Sequence, residues 1–291
     1  MDSLLSKGLL TNFFEGYTNA VTSWQEVATK VPSTARSENY AWIGSLPRMR
    51  KMKGERVPKK LLAHTYTITN EEYEASIEVS HADIKDDQTG QYGIQAKSIG
   101  ESVKMFPDEL IFETLIPNGV SELCYDGQYF FDTDHPIGET GATQSNKFTT
   151  ALSATSFNTA RTMLRRMKDD FGRPTINRNM DLLLVVSPEL ENTAELILEA
   201  ERDASGATNT NKGKARILVV DWLADTNNWY LLNVSGVIKP FVLQEREFIP
   251  FESLEEGSEP NFMRKKNYYG TYWRGNAGYG LYQKAVAAIV A

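Results

Sequence analysis

Ala96, Ile99, Val103, Phe106 and Leu110 constrain this chain more than any other residues, because they are apolar positions recurring at steps of three, four, three and four. An α-helix turns once in 3.6 residues, so this period places all five on one face that has to be covered. Asp86-Asp87 opens the segment and Pro117-Asn118-Gly119 closes it, which predicts the longest helix of the chain over 88–116. Pro107 falls inside the stripe. A proline has no N–H to donate and its ring crowds the preceding turn, so the expectation is a kink or a restart near Lys104–Phe106.

Other segments carry their own periods. Phe13, Tyr17, Val21, Trp24 and Ala28 step four, four, three and four and predict a helix over 11–31 that Pro32 ends. Its apolar face, so near a terminus, has two possible partners: the chain's own core or a neighbouring subunit. Phe157, Ala160, Leu164, Met167 and Phe171 predict a third helix, capped by Thr155 or Ser156, before a turn at Gly172-Arg173-Pro174. Leu182–Val186 reads as a buried strand, and Ser187-Pro188-Glu189 is a start signal for a helix through Glu201. Beyond the polar loop Ser205–Lys214, strands are expected at 216–222, 228–234 and 240–248, then through the aromatic series from Phe262 to Val286. No repeat and no Pro/Ser-rich linker divides the chain, so the fold class is α+β.

Charge is distributed unevenly. Residues 48–60 hold Arg48, Arg50, Lys51, Lys53, Arg56, Lys59 and Lys60 against Glu55 alone. Residues 71–87 reverse this, with Glu71, Glu72, Glu74, Glu78, Asp83, Asp86 and Asp87 against Lys85 and His81. Thr65–Thr69 and Ala75–His81 alternate apolar and polar residues as strands do. The expectation is an extended two-stranded excursion with a basic limb and an acidic limb. The limbs are either solvated faces or surfaces that pair across a subunit boundary.

Composition excludes several classes. The 291 residues are 41% hydrophobic and 24% charged, ordinary for a soluble protein with room for a sizeable core. No apolar run approaches the ~20 residues of a membrane span, and Met1–Leu5 lacks the basic start of a secretory signal. The single cysteine, Cys124, rules out internal disulfides and points to a reducing compartment. A net charge of −7 argues against the whole molecule being a glove for nucleic acid.

Searches for chemistry end in bland readings. Gly206 and Gly213-Lys214 are too far apart for a phosphate loop, and Gly275–Gly280 has its glycines in the wrong order for a dinucleotide fingerprint. Asp132-Thr133-Asp134-His135 is the best metal candidate, but Pro136 and Ile137 break a calcium loop, and acids before a proline more often cap a turn. Cys124, between Leu123 and Tyr125, reads as a buried small hydrophobe. No catalytic residue, metal site or cofactor is expected.

In order along the chain stand Tyr40-Ala41-Trp42-Ile43-Gly44 with Pro47, Gly54-Glu55-Arg56, Asn70-Glu71-Glu72-Tyr73-Glu74 and Asp83-Ile84-Lys85-Asp86-Asp87. They are followed by Tyr125-Asp126-Gly127-Gln128, Phe130-Phe131-Asp132-Thr133-Asp134-His135-Pro136, Gln144-Ser145-Asn146, Gly172-Arg173-Pro174 and Lys239-Pro240. Each motif is weak alone; their order over almost the whole length resembles the major head subunit family of Mu-like phages and prophages. That family is similar in turn to the Hong Kong 97-type capsid proteins.

The resemblance implies an N-terminal arm at 1–45, an extended loop at 46–83 and a peripheral domain with a spine helix at 84–153. An axial domain at 154–238 and return strands of the peripheral domain at 239–291 complete it. It implies a non-enzymatic subunit that self-assembles as pentamers and hexamers into an icosahedral shell around double-stranded DNA, without tight binding to it. A separate scaffolding protein and a portal would be its partners, assembly would occur in the host cytoplasm, and the product would be the virion. The alternatives are the shell of a bacterial nanocompartment and, remotely, a metal-dependent hydrolase using the Asp132–His135 loop. The residues expected at subunit interfaces are Phe13, Tyr17 and Trp24 on the arm, Arg50, Lys51, Lys53, Lys59 and Lys60 on the basic limb, and Glu71, Glu72, Glu74 and Glu78 on the acidic limb.

Overall fold

The computed structural model describes residues 2–43, 63–80, 82, 90–138, 141–169, 171–175, 180–203, 205–255 and 257–290. The chain opens with α1 (Asp2–Asn19) and a single helical turn, α2 (Trp24–Val27), and passes directly into β1 (Ala28–Pro32). The helix expected over 11–31 therefore ends twelve residues early. Two long-range contacts decide this. Asp108 accepts from the Ser23 and Trp24 amides at 2.6–3.1 Å and so restarts the helix, and β1 then pairs in parallel with Phe241–Glu245.

A ribbon of β2 (Ser37–Ile43) and β3 (Ala63–Thr69) leads to β4 (Glu71–Ser80). The spine helix α3 (Gln91–Asp108) runs straight through Pro107 and widens into a π-helical stretch at Glu109–Leu115, followed by a last α turn at Ile116–Asn118. Of the kink or restart expected near Lys104–Phe106, the restart does not occur: the helix continues to Asp108 and its hydrogen-bond pattern changes only from Glu109. The widened turns lie between Pro107 and Pro117, two residues that cannot donate the regular i→i−4 bond, and the Ile116 amide donates five residues back to Ile111. The Leu115 carbonyl accepts instead from the Tyr279 hydroxyl at 2.8 Å.

The short strands β5 (His135–Pro136), β6 (Thr143–Gln144) and β7 (Lys147–Phe148) cross the irregular region. Then come α4 (Ala154–Arg166), β8 (Leu182–Val186), a 3-10 turn at Pro188–Leu190, α5 (Glu191–Leu198), β9 (Arg216–Val219) and β10 (Trp229–Asn233). The cap of α4 is Ser153, which exchanges hydrogen bonds with Ser156 in a capping box, so the helix begins before the expected Thr155 or Ser156. It stops before Phe171, because the Asp169 carboxylate takes the Phe171 and Arg173 amides and folds the chain back. The chain finishes with the 14-residue strand β11 (Phe241–Leu254), the short α6 (Glu259–Arg264), the 14-residue β12 (Lys266–Tyr279) and β13 (Ala285–Ala288). Helix α6 takes up Phe262–Arg264, the start of the aromatic series expected as strand; Ser258-Glu259-Pro260 is its start signal.

Two sheets organise these elements. One has the order β1-β11-β12-β4, and the other β7-β13-β10-β8-β9. The C-terminal β13 joins the second sheet, not the pair β11–β12 that precedes it. All five residues of β8 are buried: Leu183 and Val185 enter the main core, and Leu182, Leu184 and Val186 face the helices α4 and α5. A strand covered on both faces needs an unbroken apolar run, which Leu182–Val186 is. Along β12 burial alternates strictly from Asn267 to Gly275, the period of a strand with one covered face. Arg216 of β9 reaches Glu26 of α2 and Asp181, joining the second sheet to the arm.

Candidate interface surfaces

Helix α1 lies on the spine helix at a distance that only glycine permits. A Cβ on Gly16 would stand 2.0 Å from the Lys97 carbonyl oxygen, and one on Gly100 would stand 2.1 Å from that of Phe13. Phe13 is buried, 5.5 Å from the Phe251 ring, and Tyr17 stacks on Phe248 at 5.7 Å. The arm's apolar face is thus covered by the chain's own spine and sheet. Phe13 is used entirely within the subunit, while Val21, beyond the helix end, is 85% exposed.

The acidic limb is β4, the end strand of its sheet among the described residues, and the partner seen there is β12. It pairs antiparallel with β12, from Glu71 opposite Gly275 to Ser80 opposite Lys266, a contact between segments nearly 200 residues apart that no local pattern announces. Its acids are partly engaged. Glu78 bonds Lys266 and the Tyr268 hydroxyl, and the Lys266 bond, more than any other cause, holds its carboxyl below the ordinary value. Glu72 lies 3.4 Å from Arg274, and Glu71 accepts from the Tyr73 hydroxyl at 3.1 Å. Arg50, Lys51, Lys53, Lys59 and Lys60 lie outside the described residues.

Between arm, spine and first sheet opens a cavity of about 440 Å³. Its walls are Tyr17, Trp24, Tyr73, Phe106, Phe248 and Trp273. Tyr73, Phe106 and Trp273 form a mutual cluster with ring centroids 4.7–5.5 Å apart. Burial, with Glu71 adding to it, pushes the Tyr73 hydroxyl up to about 12. Sequence reasoning singles out Tyr17 and Trp24 but not Tyr73, Phe106 and Trp273 as a group, because these come from three separate elements.

The Asp132–His135 loop resolves into a buried brace. His135 is fully buried and lies flat on the Tyr282 ring, with centroids 3.7 Å apart. Its Nδ1 meets Asp126 Oδ2 at 2.7 Å, and its Nε2 meets Asn146 Oδ1 at 3.1 Å. The Asn146 amide is oriented by the Asp132 N–H, which donates to Oδ1, and by the Phe130 carbonyl, which accepts from Nδ2. Both imidazole nitrogens therefore face side-chain oxygens, one of a carboxylate and one of an amide, which fix the plane of the ring. Burial alone would raise the Asp126 carboxyl, but the bond and charge of His135, with Cys124 and the Gln128 amide, hold it below its ordinary value. Cys124 donates to Asp126 Oδ1 at 3.0 Å, and burial pushes its thiol far up. The donor atoms of Cys124, Asp126 and His135 lie within 4.8 Å of one another, but each is already spent on the others or on Asn146. They hold a loop together, and the cysteine is a weak donor in that network as well as a small buried group.

The chain matches the family described as Mu-like prophage major head subunit gpT over residues 3–151, 145–223 and 224–289, essentially its whole length. It belongs to that family. It is 29% identical over 281 residues to the Mu-like prophage FluMu major head subunit of Haemophilus influenzae, covering 96% of this chain and 70% of that one. The major capsid protein of Escherichia phage Mu is 27% identical over 288 residues, covering 97% and 72%. A subunit in the procapsid of bacteriophage JBD30 superposes with a TM-score of 0.62 at 28% identity, over 99% of this chain and 75% of that one. The two-sheet α+β architecture is accordingly the Hong Kong 97-type capsid fold, and this chain is a major head subunit. Capsid proteins are virion components, and among the described residues no helix is long and apolar enough to cross a membrane.

Proposed function

We propose that this subunit assembles with copies of itself, as pentamers and hexamers, into an icosahedral shell that encloses double-stranded DNA. The observation carrying this reading is the match to a head-subunit family along the full chain, together with an architecture that superposes over 99% of this chain on three quarters (75%) of the JBD30 procapsid subunit. In this reading residues 1–45 are the arm, 46–83 the extended loop, 84–153 and 239–291 the peripheral domain, and 154–238 the axial domain, whose sheet β7 and the last strand, β13, complete from the peripheral segments. A separate scaffolding protein and a portal assist assembly in the host cytoplasm, and the chain has a structural role without a catalytic one.

The interface assignment rests on charge. The run Arg48–Lys60 carries seven cations against one acid, and Glu71, Glu72, Glu74 and Glu78 stand along β4. Single exposed ion pairs are worth only ~0–1 kcal/mol, so no one residue is critical, but many copies of the contact in a closed shell add up. Reversing Arg50, Lys51 and Lys53 together to glutamate leaves the subunit folded and stops shell formation, as scored by sedimentation and negative-stain imaging. Partial rescue is expected from reversing Glu72 and Glu74. A triple variant that assembles like the parent would show the run to be a solvated face.

A further inference from the structure

The second sheet carries a helix of one charge sign over each half. Helix α4 lies over β13 and β10, and α5 over β8 and β9, so the two cover one face towards opposite ends of the order β7-β13-β10-β8-β9. Helix α4 holds Arg161, Arg165 and Arg166 and no acid. Residues 188–199 hold Glu189, Glu191, Glu195 and Glu199 and no cation. All four glutamates are exposed, and none of their carboxylates has an ion pair or hydrogen bond among the described residues. The helix dipole favours acids in the first turn, which accounts for Glu189 and Glu191, but it disfavours one at Glu199, the C-cap of α5. Leu196 stands among these acids, 59% exposed and on the side of the helix away from Ala194 and Leu198. An apolar centre with a polar rim is the make-up of a contact surface.

The counterpart lies on α4. Beside Gln144 and Ser145 its flank forms an open groove of about 710 Å³. The lining includes Thr155, Thr159, Thr162, Met163, Met167 and Arg166, and no carboxylate. Arg166 is exposed and has no ion-pair partner among the described residues. Lys168, also exposed, adds a second cation where its amide donates to Gln144 Oε1 at 2.8 Å. A flexible thioether accommodates an incoming apolar side chain, and a guanidinium takes a carboxylate through two parallel hydrogen bonds.

We infer that this groove receives the acidic face of α5 from a neighbouring copy of the chain, with Leu196 against Met163 and Glu195 or Glu199 on Arg166. Two α5 faces brought together would set acid against acid, so the contact joins two different surfaces. Contacts of that kind, repeated by rotation, close into rings. The inference rests on the shell reading above and names the contact between neighbours within each pentamer and hexamer.

The test uses the full chain, with particles quantified by sedimentation and folding checked by thermal melting. Arg166→Glu alone, and Glu195→Arg together with Glu199→Arg, each lower particle yield about tenfold or more without lowering the melting temperature of the soluble subunit, because like charges then face each other at every contact of a ring. Combining all three substitutions restores most of the yield. Independently, Thr162→Cys with Leu196→Cys, oxidised in assembled particles, gives a ladder of disulfide-linked chains up to the pentamer and hexamer, absent from either single variant. The rescue or the ladder supports the pairing. If both reversals assemble as the parent does, the shell reading stands and the pairing is wrong. Reversals that block assembly with neither rescue nor ladder also overturn it, as does a cysteine pair that closes only within one chain. A parent chain that stays monomeric under every salt and concentration tried removes both readings.

Discussion

At the scale of single residues, the most consequential group is Asp126 with His135. The pair is buried against Tyr282 and each member comes from a separate part of the loop, so removing either leaves the facing atom, Asp126 Oδ2 or His135 Nδ1, without its partner in the core. Leaving one member of a buried hydrogen bond without its partner costs about 1–3 kcal/mol. Asp126→Asn is expected to cost that much in denaturant unfolding at neutral pH. The pH dependence has a definite sign. The folded carboxyl lies below its ordinary value, so the native state binds fewer protons there than the unfolded chain. Its stabilisation is complete above the ordinary carboxylate range near pH 4 and is lost as the pH falls through it. Melting temperature measured from about pH 6 down to about pH 3 should fall less steeply in Asp126→Asn than in the parent. An unchanged slope would show that the pair does not titrate with folding. Sequence reasoning locates this loop and weighs His135 as a metal ligand against a turn. It does not find the partners, since Asp126 and Asn146 flank the loop without any spacing that marks them.

At the scale of elements, the arm and the spine form one unit because two glycines let their backbones touch. Gly100→Ala puts a methyl 2.1 Å from the Phe13 carbonyl oxygen and 2.9 Å from the Tyr17 amide, positions that backbone cannot vacate without moving the helix. Overpacking of this kind costs about 1–3 kcal/mol, and faster amide exchange over 2–19 should report it. Gly8→Ala, on α1 with nothing within 4 Å of the added Cβ, should instead be neutral or slightly stabilising. The stripe Ala96–Leu110 was readable because helix period and burial coincide, and Leu182–Val186 was readable because a strand covered on both faces has no polar interruptions. Other boundaries were set by distant chain. Asp108 ends one helix and caps the next from 85 residues away, and β1 is a strand because Phe241–Glu245 lies beside it. The acids of β4 were visible as a run, but their strand partner β12 was not.

At the scale of the molecule, the charges bear on the cargo. With a net charge of −7, long-range attraction to duplex DNA is absent, and binding depends on local cation clusters. Among the described residues one such cluster is Arg161, Arg165 and Lys214 on and beside α4, where burial and then the two arginines hold the Lys214 amine below its ordinary value. Three phosphate contacts release about 2.7 counterions, so affinity should drop roughly fortyfold between 50 and 200 mM salt. In the shell proposed above, a duplex would have to slide past the wall as it enters and leaves, and stronger contacts than this would oppose that sliding. The isolated subunit is therefore expected to bind duplex weakly, with that shallow salt dependence and no preference for sequence, in fluorescence anisotropy titrations. Reversing Arg161 and Arg165 to glutamate should abolish the binding without affecting the fold. Tight binding at physiological salt, or a steep slope that survives the double reversal, would place a nucleic-acid surface elsewhere on the subunit and make the wall an active partner of the packaged duplex.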